Sequence, residues 1–93
     1  MLLKQDGDEM GQVLIKIKVM PKGPESDVEK IKSDIEQMLK PKDIKIIDIG
    51  FGLKSLEVMF VRSPEDGDTD RIEKQLLQID GVETAETQDV TLL

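Results

Sequence analysis

Apolar and polar residues alternate with a period of two in residues 12–20. One parity carries four β-branched residues: Val13, Ile15, Ile17 and Val19. Because successive side chains of a strand point to opposite faces, this pattern predicts a strand whose β-branched face lies in the core. Lys16 and Lys18 have the other parity, so we expect them on an open sheet surface. Pro21 and Pro24 then end the strand in a loop.

Two stretches have the three- and four-residue spacing of amphipathic helices. The apolar positions of the first are Val28, Ile31, Ile35, Met38 and Leu39. Residues 26–29 (Ser-Asp-Val-Glu) fit a capping box, and the helix is expected to end shortly before Pro41. The apolar positions of the second are Ile72, Leu76 and Ile79. We expect Asp68 or Thr69 to cap this second helix and Gly81 to follow its C-terminal end.

Three further stretches predict strands. Residues 43–49 contain four isoleucines, but apolar residues of both parities leave the facing of this strand open. In residues 53–62, Leu56, Val58 and Phe60 share one parity and are expected in the core. Residues 82–90 form the last strand, supported by β-branched threonines. The expected core includes Ile15, Ile17, Ile31, Ile35, Leu56, Val58, Ile72 and Leu76.

The predicted order of elements is strand, helix, strand, strand, helix, strand. With right-handed crossovers, this order gives a four-stranded antiparallel sheet with two helices on one face. The expected fold class is therefore α+β, a ferredoxin-like split βαβ sandwich. Residues 11–93 form this single domain. Residues 1–10 lack periodicity and are expected to be a flexible extension, with Met10 as an alternative start of the natural chain.

The two central strands meet at Gly50-Phe51-Gly52. Glycine is costly inside a strand but permits positive φ, so two glycines here predict a sharp turn or a bulge. The spacing leaves two positions open for Phe51. Its ring is either lifted away from the sheet or folded back as a plug of the core.

Composition excludes several classes of function. The chain has 93 residues, a net charge of −7, two phenylalanines and no tryptophan or tyrosine. Nucleic-acid binders usually present a basic face, often with stacking aromatic rings, and we expect neither here. The absence of cysteine and histidine removes thiolate chemistry and the commonest general base and metal ligand. We therefore expect no enzyme activity and no cofactor. No apolar run is long enough to span a membrane, so we expect a cytoplasmic protein.

Three acids at alternate positions, Asp66, Asp68 and Asp70, resemble the start of a calcium-binding loop. That loop requires glycine at its sixth position and glutamate at its twelfth, where this chain has Arg71 and Leu77. The calcium pattern therefore fails. The acids are expected to interact with the dipole at the N-terminus of the second helix, with a weak divalent site as the alternative.

The segment Ile49-Gly50-Phe51-Gly52-Leu53-Lys54-Ser55-Leu56 resembles Ile-Gly-Phe-Gly-Ile-Lys-Lys-Leu of the elongation factor 1-beta family. Residues 19–21 and 82–90 also resemble archaeal members, and the likeness covers about residues 10–93. This family is the guanine-nucleotide exchange factor of elongation factor 1-alpha. The resemblance implies a ferredoxin-like domain that binds this GTPase near its nucleotide site and promotes the release of GDP.

The resemblance also implies which residues bind the partner. These are Gly50, Phe51, Gly52, Lys54, Asp89, Thr91 and Leu92. In the family, the aromatic residue of Gly-Phe-Gly enters a pocket of the GTPase, a role that falls here to Phe51. Eukaryotic members end with a lysine, next to last, that intrudes on the magnesium site. This chain has no lysine after Lys74, so GDP release by another route is expected.

Two alternatives remain at this point. Lys54 is either a partner contact or a solvated charge. The whole chain is either an exchange factor, expected to be monomeric when free, or a small-molecule-binding regulatory domain that associates with a copy of itself.

Overall fold

In the part of the chain that the structure describes, four strands and two helices form a two-layer structure. The computed structural model describes residues 12–63 and 69–93. In chain order the elements are β1 (Val13–Pro21), α1 (Val28–Leu39), β2 (Asp43–Gly50), β3 (Leu53–Arg62), α2 (Thr69–Leu77) and β4 (Val82–Leu92). The sheet is antiparallel, with the strand order β2–β3–β1–β4. The predicted ferredoxin-like α+β fold is confirmed. The predicted extension of residues 1–10 lies outside the described residues.

One face of the sheet packs against both helices and forms the core. The register of the central strands places Ile15 beside Phe60, Ile17 beside Val58 and Val19 beside Leu56. All six of these side chains are fully buried. The helices contribute Ile31, Ile35, Ile72 and Leu76. The eight predicted core residues are thus all buried, and each large apolar side chain contributes roughly 1.5–3 kcal/mol by leaving water.

The start of α1 differs from the predicted capping box. Asp27 is the N-cap, and its Oδ1 accepts a hydrogen bond from the backbone N–H of Lys30 at 3.1 Å. Ser26 Oγ instead accepts from the N–H of Gly23 at 3.3 Å, which closes the loop between β1 and α1. Asp27 satisfies the free N–H at the third helical position, so the glutamate of the predicted box has no capping role.

The second helix is shorter than predicted. It ends at Leu77, and Gly81 lies four residues later with a φ of 94°. Two backbone hydrogen bonds between residues three apart follow the helix. The N–H of Gln78 donates to the carbonyl of Gln75, and the N–H of Ile79 donates to the carbonyl of Leu76. Gly81 therefore turns the chain into β4 and is not the residue that ends the helix. Neither helix is long and apolar enough to cross a membrane, within the parts of the chain that the structure describes.

Candidate protein-binding site

The hairpin between β2 and β3 has an unusual backbone. Gly50 pairs with Leu53, so Phe51 and Gly52 are the two central residues of the turn. Their φ angles are 56° and 76°, and Gly50 has a φ of 93°. Positive φ at both central residues is typical of the type I′ turn, whose twist matches that of the flanking strands. The turn predicted from the two glycines is therefore present.

Phe51 is 99% exposed at the tip of this turn. The alternative of a core plug is therefore wrong. A positive φ is rare for a bulky residue and costs on the order of 1–3 kcal/mol when the surroundings hold it there. The ring recovers almost none of that cost by burial, so Phe51 does not stabilise the fold. An exposed aromatic residue held in a strained backbone is typical of a binding site.

The turn is held by its own strand. Asp48 Oδ1 accepts a hydrogen bond from the N–H of Gly50 at 2.9 Å. The register shifts here, because Asp48 pairs with Lys54 while Gly50 pairs with Leu53, leaving Ile49 as an extra residue in a bulge. The predicted turn and the predicted bulge thus occur together. The bulge and the Asp48 hydrogen bond fix the direction in which the tip projects.

The backbone conformation, and not close packing by neighbouring atoms, favours glycine at positions 50 and 52. A Cβ atom added at Gly50 or Gly52 would have no atom within 4 Å outside its chain neighbours. Other side chains would therefore fit sterically but would be strained by the positive φ. These positions set the shape of the turn, and Phe51 supplies its exposed apolar surface.

An apolar strip extends from the tip along β2, which is an edge strand of the sheet. Ile47 is 39% exposed and Ile49 is 42% exposed. Ile44 and Ile46 pack toward the core instead. The sequence did not decide which side chains of β2 face the core. The pattern that could have indicated an exposed strip is the apolar residue at every second position up to Phe51. We call Ile47, Ile49 and Phe51 the apolar strip.

The open face of the sheet carries a shallow groove of about 440 Å³ next to the apolar strip. Residues of all four strands line it, among them Lys16, Lys18, Ile49, Ser55, Glu57 and Asp89. Lys16 Nζ lies 3.8 Å from Glu57 Oε2 inside this groove. The two lysines thus occupy the open face, as their parity predicted. The groove also connects Asp89, a predicted partner contact on β4, with the apolar strip on β2.

Lys54 lies beside the hairpin tip and is exposed. With Gly52 it forms one wall of a cleft of about 200 Å³. The opposite wall is the loop before α1, including Pro21, Pro24 and Asp27. Lys54 is thus accessible on the side of the tip that faces this loop.

Thr91 and Leu92 are far from the tip. They pair with Leu14 and Val13, near the start of β1, whereas the hairpin lies beyond the pair Val19–Leu56 at the other end. Val61 and Arg62 of β3 are level with them and follow Phe51 by 10 and 11 residues. At about 3.3 Å per residue, the separation along the sheet is roughly 33–36 Å. The predicted partner-binding residues therefore form two groups at opposite ends of the sheet, with Asp89 between them.

Charges elsewhere do not form a second centre within residues 12–63 and 69–93. No group of three or more metal-binding side chains occurs there. Asp70 lies in the first turn of α2, while Asp66 and Asp68 lie outside the described residues. The pKa of Lys30 is raised by its hydrogen bond to Asp34 and by the charge of that carboxylate. This pair is on the exposed side of α1 and is not part of the hairpin.

Residues 14–93 match the family described as the EF-1 guanine nucleotide exchange domain. The chain belongs to this family. An "Elongation factor 1-beta" of Methanosphaerula palustris is 44% identical over 84 residues, which cover 89% of this chain and 99% of that protein. Proteins of the same name have 42% identity in Methanoregula boonei and 38% in Methanocaldococcus jannaschii, again over 89% of this chain and 99% of each relative.

The resemblance inferred from the Gly-Phe-Gly segment is therefore confirmed. The match covers both helices and all of the sheet except Val13, so it includes the hairpin, the open face and the C-terminal strand. As an EF-1 guanine nucleotide exchange domain, the chain has a role in nucleotide exchange on a translation elongation factor. The exposed tip is its most distinctive local feature.

Proposed function

We propose that this exchange domain binds elongation factor 1-alpha near its nucleotide site and promotes the replacement of GDP by GTP. The observation that carries the proposal is the exposure of Phe51 on a backbone with positive φ. Aromatic residues are enriched among the few side chains that supply most of the energy of protein interfaces. Here, half of the chain's aromatic residues project into solvent.

The hairpin presents Phe51 in a defined position before binding. The bulge and the Asp48 hydrogen bond restrain the turn, so little backbone freedom is lost when the ring enters a pocket. Such preorganisation lowers the entropic cost of association. Gly50 and Gly52 shape the turn, and Lys54 contacts the partner beside it. Ile47 and Ile49 extend the apolar contact along β2.

The remaining contacts lie along the sheet toward the C-terminus. We assign Asp89 to the open-face groove, and Thr91 and Leu92 to a second contact at the far end. This arrangement spans roughly 33–36 Å, so the GTPase would be bound at two separated points. Two separated contacts fix the orientation of the factor better than the ring alone.

Exchange then follows from binding energetics, and this chain does not need to make or break a covalent bond. A protein that binds the nucleotide-free GTPase more tightly than the nucleotide-bound GTPase must weaken nucleotide binding by the same ratio. We propose a monomeric binding protein, not an enzyme, that needs no cofactor and acts in the cytoplasm on the GTPase and not directly on nucleic acid.

The direct test measures release of labelled GDP from the cognate GTPase with and without the chain. We expect acceleration by the wild type and a loss of about 30-fold or more for Phe51→Ala, as for an interface anchor worth about 2 kcal/mol. Met38→Ala is the matched control, because Met38 is 53% exposed on α1, away from the hairpin. No acceleration by the folded wild type would reject the proposal and favour the regulatory domain that binds a small molecule.

A further inference from the structure

The last strand contains a bulge that determines where its C-terminal half points. Thr87 pairs with Ile17, but the residue of β1 before Ile17, Lys16, pairs with Asp89. Gln88 is therefore an extra residue in β4. Both Gln88 and Asp89 line the open-face groove.

Without this extra residue, each later residue of β4 would pair one position nearer the start of β1, and its side chain would face the other side of the sheet. Asp89 would pair with Ile15, a core position, and would turn toward the helices. With the bulge, Val90 pairs with Ile15, whereas Asp89 lies opposite Lys16 on the open face. A shift of one residue exchanges the two faces of a strand. The bulge therefore decides that Asp89 and Thr91 face the groove side and that Leu92 faces the helix side.

A side chain of α2 holds this bulge. Glu73 Oε2 accepts two hydrogen bonds from Thr87, one from its backbone N–H at 2.8 Å and one from Oγ1 at 2.6 Å. Glu73 lies one position after the buried Ile72, so the packing of α2 brings its carboxylate to β4. Hydrogen bonds to an ionised group are stronger than neutral ones, and these two join elements that are separate in sequence.

We propose that Glu73 is a positioning residue for nucleotide exchange. Its carboxylate holds the β4 bulge and so fixes the faces on which residues 88–92 meet the GTPase. The part that concerns exchange rests on the proposed function. The part that concerns strand register does not, because it follows from the pairing of β1 with β4 and from the hydrogen bonds of Glu73 to Thr87.

The first test follows strand pairing in Glu73→Ala and Glu73→Gln by nuclear magnetic resonance. In Glu73→Ala, we expect loss of the contacts between Asp89 and Lys16. The amide of Thr87 should exchange with solvent about tenfold faster or more, as when a hydrogen bond to a charged group is lost. Glu73→Gln should retain the pairing, because its side-chain oxygen still accepts from Thr87. Glu36→Ala, which removes a charge from an exposed position of α1, should change neither quantity.

The second test uses GDP release. For Glu73→Ala, the concentration of factor that gives half-maximal stimulation should rise by about tenfold, while the maximal rate stays near that of the wild type because Phe51 is untouched. Glu73→Gln should restore the wild-type concentration dependence. Thr87→Val, which removes only the hydroxyl donor, should give a smaller effect and keeps the test decisive if Glu73→Ala does not fold.

Each result that would contradict the proposal identifies which part of it is wrong. Intact Asp89–Lys16 contacts in folded Glu73→Ala would overturn the role of Glu73 in strand register. Altered contacts with unchanged stimulation would overturn its role in exchange. A wild-type chain that does not stimulate GDP release would overturn the proposed function, and the pairing measurement would still decide whether Glu73 sets the register.

Discussion

The two phenylalanines of the chain occupy opposite environments. Phe60 is fully buried on the helix-facing side of β3, and Phe51 is 99% exposed at the hairpin tip. They are nine residues apart in sequence, on or next to the same strand. Strand β3 carries Phe60 on its helix-facing side at regular spacing, whereas the turn before β3 carries Phe51 on a positive φ. The fold buries one ring in its core and leaves the other in solvent, where we propose that it contacts the partner.

The surroundings of Phe60 show what a structural aromatic residue requires. It pairs with Ile15, and the guanidinium of Arg62 lies 4.9 Å from the centre of its ring. Arg62 also donates a hydrogen bond to the carbonyl of Leu39 at 3.2 Å, which ties β3 to the end of α1. Phe51 has no comparable packing. We therefore expect that different residues of one hairpin carry stability and the proposed binding, so that the two can be altered separately.

The largest expected effect on stability is that of Phe60→Ala. Removing a buried phenylalanine should lower the free energy of unfolding by about 3–5 kcal/mol, a large share of the total for a small domain. Chemical denaturation measures this value. Met59→Ala, on the partly exposed opposite face, should cost less. An equal loss for both variants would mean that the two faces of β3 are not distinguished as described.

A smaller effect is expected for Gly52→Ala. Its φ of 76° would place an L-residue in the left-handed region, at a cost of roughly 1–2 kcal/mol, although the added methyl group meets no neighbour. Chemical synthesis with D-alanine at this position should avoid the cost. Equal melting temperatures for the L- and D-alanine chains would show that positive φ at this position does not determine the turn.

Ile49→Ser should affect binding more than folding. Ile49 is 42% exposed in the bulge of an edge strand, so its replacement should change the free energy of unfolding by about 0.5 kcal/mol or less. Stimulation of GDP release should fall severalfold, less than for Phe51. The comparison with Leu77→Ala, an exposed position on α2, separates loss of the apolar strip from loss of any surface apolar residue.

The smallest effect is expected from deletion of residues 1–10. This segment has no apolar periodicity, so its removal should shift the free energy of unfolding by about 0.5 kcal/mol or less. A melting curve of the truncated chain measures the shift. A large drop in melting temperature would show that the segment docks on the domain.

The sequence predicted most of the fold because local pattern and tertiary packing agree there. Strict alternation in β1 and β3 assigned Ile17 and Val58 to the core correctly. In β2, isoleucines of both parities made the facing ambiguous, and the pairing with β3 resolves it. The cap of α1 was misplaced by one residue because Ser26 and Asp27 are both good capping residues, and the loop uses Ser26 elsewhere.

The site was predictable only in part. Gly50 and Gly52 indicate a turn, but its geometry and the exposure of Phe51 depend on the register between β2 and β3. The β4 bulge has no signal in the local pattern, since it is held by Glu73, 14 residues before Thr87 and on another element. Family resemblance grouped Leu92 with Phe51, whereas the structure shows that they lie at opposite ends of the sheet.

The most direct test of the central claim is the pair of measurements on Phe51→Asn. Asparagine tolerates positive φ, and Asn-Gly is a favoured pair for type I′ turns. The variant should therefore keep its melting temperature or raise it slightly. Its stimulation of GDP release should fall by about 30-fold or more, since the anchoring ring is gone. Full exchange activity in this folded variant would contradict the account, and unfolding would show that Phe51 supports the structure after all.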